Sequence, residues 1–206
     1  MEIKQFESPS DFVRTSVDFI KKSGAQSIGL SGGSTPRPVY EMLGQDREWV
    51  DQVTFYQVDE RYIGSDDPKS NRRLINESLQ PTQFKFFETS LTISEALNIY
   101  EVPPQLDLVI LGIGPDGHIA SLFPGSLALT TNAPVAHTQT DQFDVHNRLT
   151  LTFPVLLNAK KILILLKGES KQAVLDELKS GLKPPQEFPA KKLLDHPDVT
   201  IHYGNY

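Results

Sequence analysis

The chain contains no cysteine in its 206 residues. Disulfides, thiolate metal sites and thiol nucleophiles are therefore excluded, and a reducing compartment is the natural setting. Long apolar runs are missing too. "ILILL" (162–166) is among the longest and is far too short to cross a bilayer. The opening "MEIKQFESPSD" lacks the apolar centre of a secretory leader, so a cytoplasmic protein is expected. Basic charge is in deficit: Lys+Arg number 20 against 26 Asp+Glu, for a net charge of -6 and a pI of about 5.4. That balance argues against nucleic-acid and membrane partners but leaves room for a small anion held by a few clustered cations. There is no internal repeat, low-complexity tract or linker. The composition, 38% hydrophobic, fits a single domain over 1–206.

What is present is an alternation of strand and helix patterns. Strands are expected at 26–30, 53–58, 106–112 and 160–166, rich in Val, Ile and Leu and without clean alternation, as in a parallel sheet buried on both faces. Helices are expected at 10–22 with Ser10 as cap, at 35–43 with Thr35 as cap and Pro36 at the first position, and at 70–79 with Ser70 as cap. Two more are expected, at 92–100 behind a Thr-x-x-Glu box and at 169–181, stopping at Gly181. The order predicts an open, mostly parallel α/β sheet with helices on both faces. "GLKPPQEFP" (181–189) reads as a surface loop. In such sheets ligands bind outside the carboxyl ends of the strands, and four polar loops leave that edge.

"SGGSTP" places Ser31, Gly32, Gly33, Ser34 and Thr35 between a strand and a helix start. Free N–H groups and the helix dipole there suit an anion, although the same residues also make an ordinary tight turn. No Gly-Lys-Ser/Thr follows, so this is not a Walker A loop. In "VDERYIGSDDPKSN" the acids Asp59 and Glu60 precede Arg61, whose fork suits phosphate or carboxylate and could be oriented by them; the alternative is a solvated charged loop. "GIGPDGHIASLFPG" matches G-x-G-x-x-G through Gly112, Gly114 and Gly117. Asp116 would oppose a pyrophosphate, however, and no second strand with a ribose-binding acid follows, so no dinucleotide is expected. His118 is the more useful residue, since an unperturbed imidazole titrates near neutrality, and Asp116 could orient the ring; a histidine merely hydrogen-bonded in a turn is the alternative. In "KGESKQAV" Lys171 could reach over the edge, and Arg148 precedes a further strand. His137, His146, His196 and His202 show no metal-ligand spacing, and neither metal nor other cofactor is expected.

Together, "SGGSTP", "DERYIGSDDPKSN", "LGIGPDGHIASLFPG" and "RLTLTFPVLLNAKKILILLKGESK" resemble the motif blocks of the 6-phosphogluconolactonase family, in order, over residues 25–180. The resemblance implies a Rossmann-like α/β fold shared with glucosamine-6-phosphate deaminases. It also implies hydrolysis of 6-phosphogluconolactone in the oxidative pentose phosphate pathway, and a small sugar-phosphate partner. His118 falls on the family's general base with Asp116 beside it. Ser31–Thr35 and Arg61 fall on phosphate-binding positions, and Asp59, Asn71, Arg148 and Lys171 are counted with the substrate-binding set. The deaminases are similar to "DGHIAFNEPG", with Glu where this chain has Phe123, and have Asp-Glu-Tyr where it has Asp59-Glu60-Arg61. The lactonase is therefore preferred over a deaminase-like enzyme or a sugar-phosphate sensor without turnover. Oligomeric state is not legible.

Overall fold

The apolar runs that lack alternation become the middle of a parallel sheet. A computed structural model describes residues 1–180 and 182–206. In chain order the elements are β1 (Glu2–Phe6), α1 (Pro9–Lys22), β2 (Ser27–Leu30), α2 (Arg37–Gly44), α3 (Arg47–Asp51), β3 (Thr54–Gln57), β4 (Asp59–Arg61), α4 (Asn71–Ser78) and β5 (Gln83–Lys85). They continue with α5 (Ile93–Ile99), β6 (Leu108–Leu111), β7 (Val135–Gln139), β8 (Asn147–Leu151), α6 (Phe153–Leu156), β9 (Lys161–Lys167), α7 (Gln172–Ser180) and β10 (Val199–Gly204). The seven-stranded sheet runs β1-β10-β9-β6-β2-β3-β5, with all neighbours parallel. Successive residues of its central strands serve opposite faces. Leu108, Ile110, Leu163 and Leu165 pack with Phe12, Ile20, Val39 and Ile75 from α1, α2 and α4. Val109, Leu111, Ile162 and Ile164 pack with Ala96, Leu175 and Leu178 from α5 and α7. Both faces are covered, so every position is apolar and the period of two vanishes from the sequence. Truncating Ile110, fully buried, to Ala would cost ~2–5 kcal/mol.

A second sheet, β4-β8-β7, is antiparallel. It carries the sequence from the end of β3 across the carboxyl edge of the large sheet, and its register sets Arg61 directly opposite Arg148.

Several boundaries differ from expectation. Ser8, not Ser10, caps α1: it is extended, and its hydroxyl accepts from Asp11 N, with Pro9 filling the first helical position. Pro36, not Thr35, precedes α2, and no side chain caps that helix. Ser70 and the Thr92–Glu95 box act as read. The helix expected over 169–181 starts as a 3-10 turn, Glu169–Lys171, before α7; its stop at Gly181 lies outside the described residues. Of the Pro-rich stretch, residues 182–187 are exposed or partly so, but Phe188 is 2% exposed and Pro189 is buried.

Candidate active site

Loops from β2, β3, β6 and β9 surround one cavity of about 280 Å³, and Ser31–Thr35, Asp59, Arg61, Asn71, His118, Arg148 and Lys171 all line it. Asp116 stands just behind His118.

At one end is the turn that follows β6. Gly114 N donates to His118 O at 2.8 Å, and Gly117 N donates to Gly114 O at 3.0 Å. Gly117 has φ +84°, and a Cβ there would run into the ring of Phe188. A Cβ on Gly114 would strike the His118 imidazole. These glycines shape a seat for the histidine. No helix opens after them, so the pyrophosphate geometry of the dinucleotide fingerprint is absent. His118 Nδ1 lies 2.5 Å from Asp116 Oδ1, which also accepts from His118 N at 3.2 Å; the two side chains are 19% and 17% exposed. A carboxylate can only accept, so this hydrogen bond assigns the proton to Nδ1 and leaves Nε2 as the ring's acceptor nitrogen. Burial pushes the Asp116 carboxyl up, but the hydrogen bonds and charge of His118 outweigh it and hold the carboxyl below its ordinary value. Asp116 Oδ2 is buried without a partner. Nearby, Lys171 Nζ donates to Ile113 O at 2.6 Å; burial lowers its pKa, and Asp116 works against that. Two residues on, Ala120 takes φ +52° at the cavity wall, a left-handed conformation costing ~1 kcal/mol for a residue with a Cβ.

At the other end are cations and unpaired polar atoms. Arg61 and Arg148 face each other across β4 and β8, an arrangement unfavourable without an intervening anion. Burial lowers the Arg148 pKa, Arg61 lowers it further, and Asp59 and Glu60 oppose them. Arg148 Nε donates to Val145 O at 3.0 Å, and Arg61 Nη1 donates to Lys69 O at 2.5 Å. Ser31 Oγ, Arg61 Nε and Asn71 Oδ1 are buried with no partner. Each such atom costs ~1–3 kcal/mol unless a ligand satisfies it. Gly32 is required because a Cβ there would overlap Asn71 Oδ1. Thr35 does not cap α2 but lines the cavity.

Glu60 does not orient the Arg61 guanidinium, as the sequence suggested. Its buried carboxylate instead accepts from the backbone N–H of Arg61, Asn71 and Arg72, from Gln57 Nε2 and from Ser70 Oγ. Burial raises its pKa against those hydrogen bonds. It is a girder joining β4 to the start of α4, and it fixes Arg61 and Asn71 through their main chain.

Residues missed from sequence are Ser121 and Phe143. Ser121 Oγ donates to Asp59 Oδ2 at 2.7 Å; it stood in plain view in "DGHIASLFPG". Phe143 carried no signal, being a lone aromatic in a polar stretch. His196 and His202 are structural. His196 Nε2 meets Ala159 O, and His202 Nδ1 meets Ser16 Oγ, with burial first and Lys4 second lowering its pKa to about 4. Among the described residues no three His, Asp or Glu side chains converge to hold a metal ion.

A family model described as glucosamine-6-phosphate isomerases/6-phosphogluconolactonase matches residues 8–201. A probable 6-phosphogluconolactonase of Dictyostelium discoideum is 36% identical over 90% of this chain and 87% of that protein. The 6-phosphogluconolactonase of a Synechocystis strain is 33% identical over 84% and 79% respectively. The crystal structure of a Thermotoga maritima 6-phosphogluconolactonase superposes with a TM-score of 0.87 at 30% identity, covering 100% of this chain and 99% of that one.

Proposed function

The chain belongs to the family of glucosamine-6-phosphate isomerases and 6-phosphogluconolactonases, and we propose that it performs the lactonase reaction of that family with a water activated by His118. It hydrolyses 6-phosphogluconolactone to 6-phosphogluconate, a step of the pentose phosphate pathway. The observation that supports the mechanism is the His118–Asp116 hydrogen bond, which leaves Nε2 as the acceptor nitrogen of a ring that lines the cavity.

A δ-lactone is an activated ester and needs no covalent nucleophile. Nε2 takes a proton from water as its oxygen bonds to the lactone carbonyl carbon. The tetrahedral intermediate collapses by breaking the bond from that carbon to the ring oxygen. The imidazolium returns its proton to the departing oxygen, which becomes a hydroxyl, and the new carboxylic acid ionises. Asp116 stabilises the imidazolium and holds the ring in place. A positioned base of this kind contributes ~10² to 10⁴ in rate. Arg61, Arg148 and the Ser31–Thr35 loop supply the charge and donors for the phosphate, whose binding energy fixes the distant carbonyl, and Lys171 adds a substrate-binding cation at the His118 end. Asp59 and Asn71 complete the substrate-binding set. The sugar phosphate is the partner, the cytoplasm the setting, and the chain works as one domain, since the large sheet takes strands from both ends of the sequence.

A deaminase-like reaction is disfavoured because Phe123, not a carboxylate, stands beside His118, with ring centroids 4.9 Å apart. The deciding experiment generates the lactone enzymatically, removes the generating system, adds EDTA and no nucleotide, and follows acid release. Release well above the spontaneous rate is expected, with no ammonia from glucosamine-6-phosphate. Release at the spontaneous rate despite tight binding would leave a sensor, and activity restored only by a metal would overturn the metal-free route.

A further inference from the structure

Phe143 belongs to none of the motif blocks, yet its ring lies within reach of both His118 and Arg148. It sits on the connection from β7 to β8, residues 140–146, where its neighbours are polar. Its ring lies edge-on to His118 with centroids 5.5 Å apart, and the Arg148 guanidinium carbon is 5.7 Å from its centre. Phe123 backs it at 6.0 Å. The loop is braced: Thr140 N donates to His146 O at 3.0 Å, and Lys69 pairs with Asp144 at 2.5 Å, tying it to the loop that follows Arg61. Phe143 is half-buried and lines the cavity. A molecule that reaches from Arg148 to His118 must pass this ring.

Resting on the lactonase reading above, we propose that Phe143 is a specificity-determining residue that touches substrate. Its ring is the wall against which the C–H edge of a sugar-derived lactone lies while the phosphate is held at Arg148 and the carbonyl at His118. A sugar ring offers such an apolar edge beside its hydroxyls, and an aromatic face excludes water from it while leaving the hydroxyls to Asp59 and Asn71. The wall makes the enzyme select phosphorylated rings that span the two ends over free phosphate or a short phosphorylated ester.

The test measures 6-phosphogluconate and inorganic phosphate affinities separately by calorimetry, with lactone kinetics, for wild type, Phe143→Ala and Phe143→Leu. Inorganic phosphate fills only the cation end. Phe143→Ala is expected to weaken 6-phosphogluconate and raise KM by roughly tenfold, to leave inorganic phosphate within about twofold, and to leave the pH profile of kcat in place. Phe143→Leu, which keeps most of the bulk and secures the test if the Ala variant does not fold, should fall between. Equal weakening of both ligands would mean that the ring serves only Arg148, and a moved pH profile with intact binding that it serves only His118; either overturns the proposal. Unchanged affinities beside an active wild type overturn it alone. A wild type that neither binds 6-phosphogluconate nor hydrolyses the lactone overturns the lactonase reading and this inference with it.

Discussion

Strand β6 has an aspartate near each end, and the two are treated in opposite ways. Asp107, just before the strand, is saturated: Oδ2 accepts from Gln26 N, Ser27 N and Ser27 Oγ at 2.9–3.0 Å, and Oδ1 takes Lys160 Nζ at 2.7 Å. Burial pushes its carboxyl up, but Lys160 and the Gln26 and Ser27 donors bring it down to about 2. Asp116, after the strand, has one oxygen on His118 and the other buried with nothing to accept from. The amino edge of the sheet is closed chemistry, and it ties β2, β6 and β9 together. The carboxyl edge leaves hydrogen-bonding capacity unspent: an acceptor on Asp116, a donor on Arg61, a hydroxyl on Ser31. The saturated Asp107 holds the fold, whereas four unpartnered polar atoms gathered around one cavity, on Ser31, Arg61, Asn71 and Asp116, mark a site that suits a polar ligand.

Substitution at each edge separates stability from catalysis. The largest effect is expected at His118: His118→Asn keeps a polar side chain of moderate size and should lower kcat by ~10² or more with little change in 6-phosphogluconate affinity. Asp116→Asn should lose less, because it supports the ring without accepting the water's proton. A folded, fully active His118→Asn enzyme would refute the assignment. Next comes Arg61→Ala, expected to raise KM by ~10- to 100-fold, the worth of a charge-assisted contact of ~1.5–3 kcal/mol. Unphosphorylated gluconolactone, a poor substrate, should hardly notice the change; equal sensitivity of both lactones would show that Arg61 does not read phosphate. The smallest is Asp107→Asn, expected to leave kcat and KM within about twofold and to cost ~1–2 kcal/mol at neutral pH, discounted because water reaches part of the side chain. Its folded pKa lies below the ordinary 3.8. The wild type therefore holds this stabilisation in full above that value and loses it as pH falls toward about 2, while the variant lacks it throughout. Denaturant melts at several pH values measure this directly. A catalytic defect in Asp107→Asn with unchanged stability would invert the comparison.

The large sheet was legible because burial on both faces leaves uninterrupted apolar runs, and four of its strands announce themselves in this way. β1, β5 and β10 did not: β1 is an edge strand with exposed Glu2 and Lys4, β5 is the three-residue strand at the other edge, and β10 hides His202 and Thr200 in a buried strand. The loops at the carboxyl edge were legible as chemistry, since glycines, a titrating pair and an isolated arginine have few other reasons to follow apolar strands. What the sequence withheld was juxtaposition. The register that faces Arg61 with Arg148 across 87 residues of chain has no local signature, nor does the reach of Phe143 toward His118. The role of Glu60 was misread for the same reason: spacing put it beside Arg61, but its carboxylate points away, into the start of α4.

The ring of Phe188 fills the space that a side chain at Gly117 would need, and Ala190 N donates to Gly117 O at 2.9 Å. A little further on, β10 enters between β1 and β9. During synthesis, then, the turn bearing His118 leaves the ribosome long before the residues that brace it, and β1 is finished first yet waits for Val199–Gly204 to pair. Closing so long a loop delays the last steps of folding. A nascent chain stalled short of Phe188 would hold every motif block read from the sequence and still lack the ring that packs against Gly117 beside the histidine.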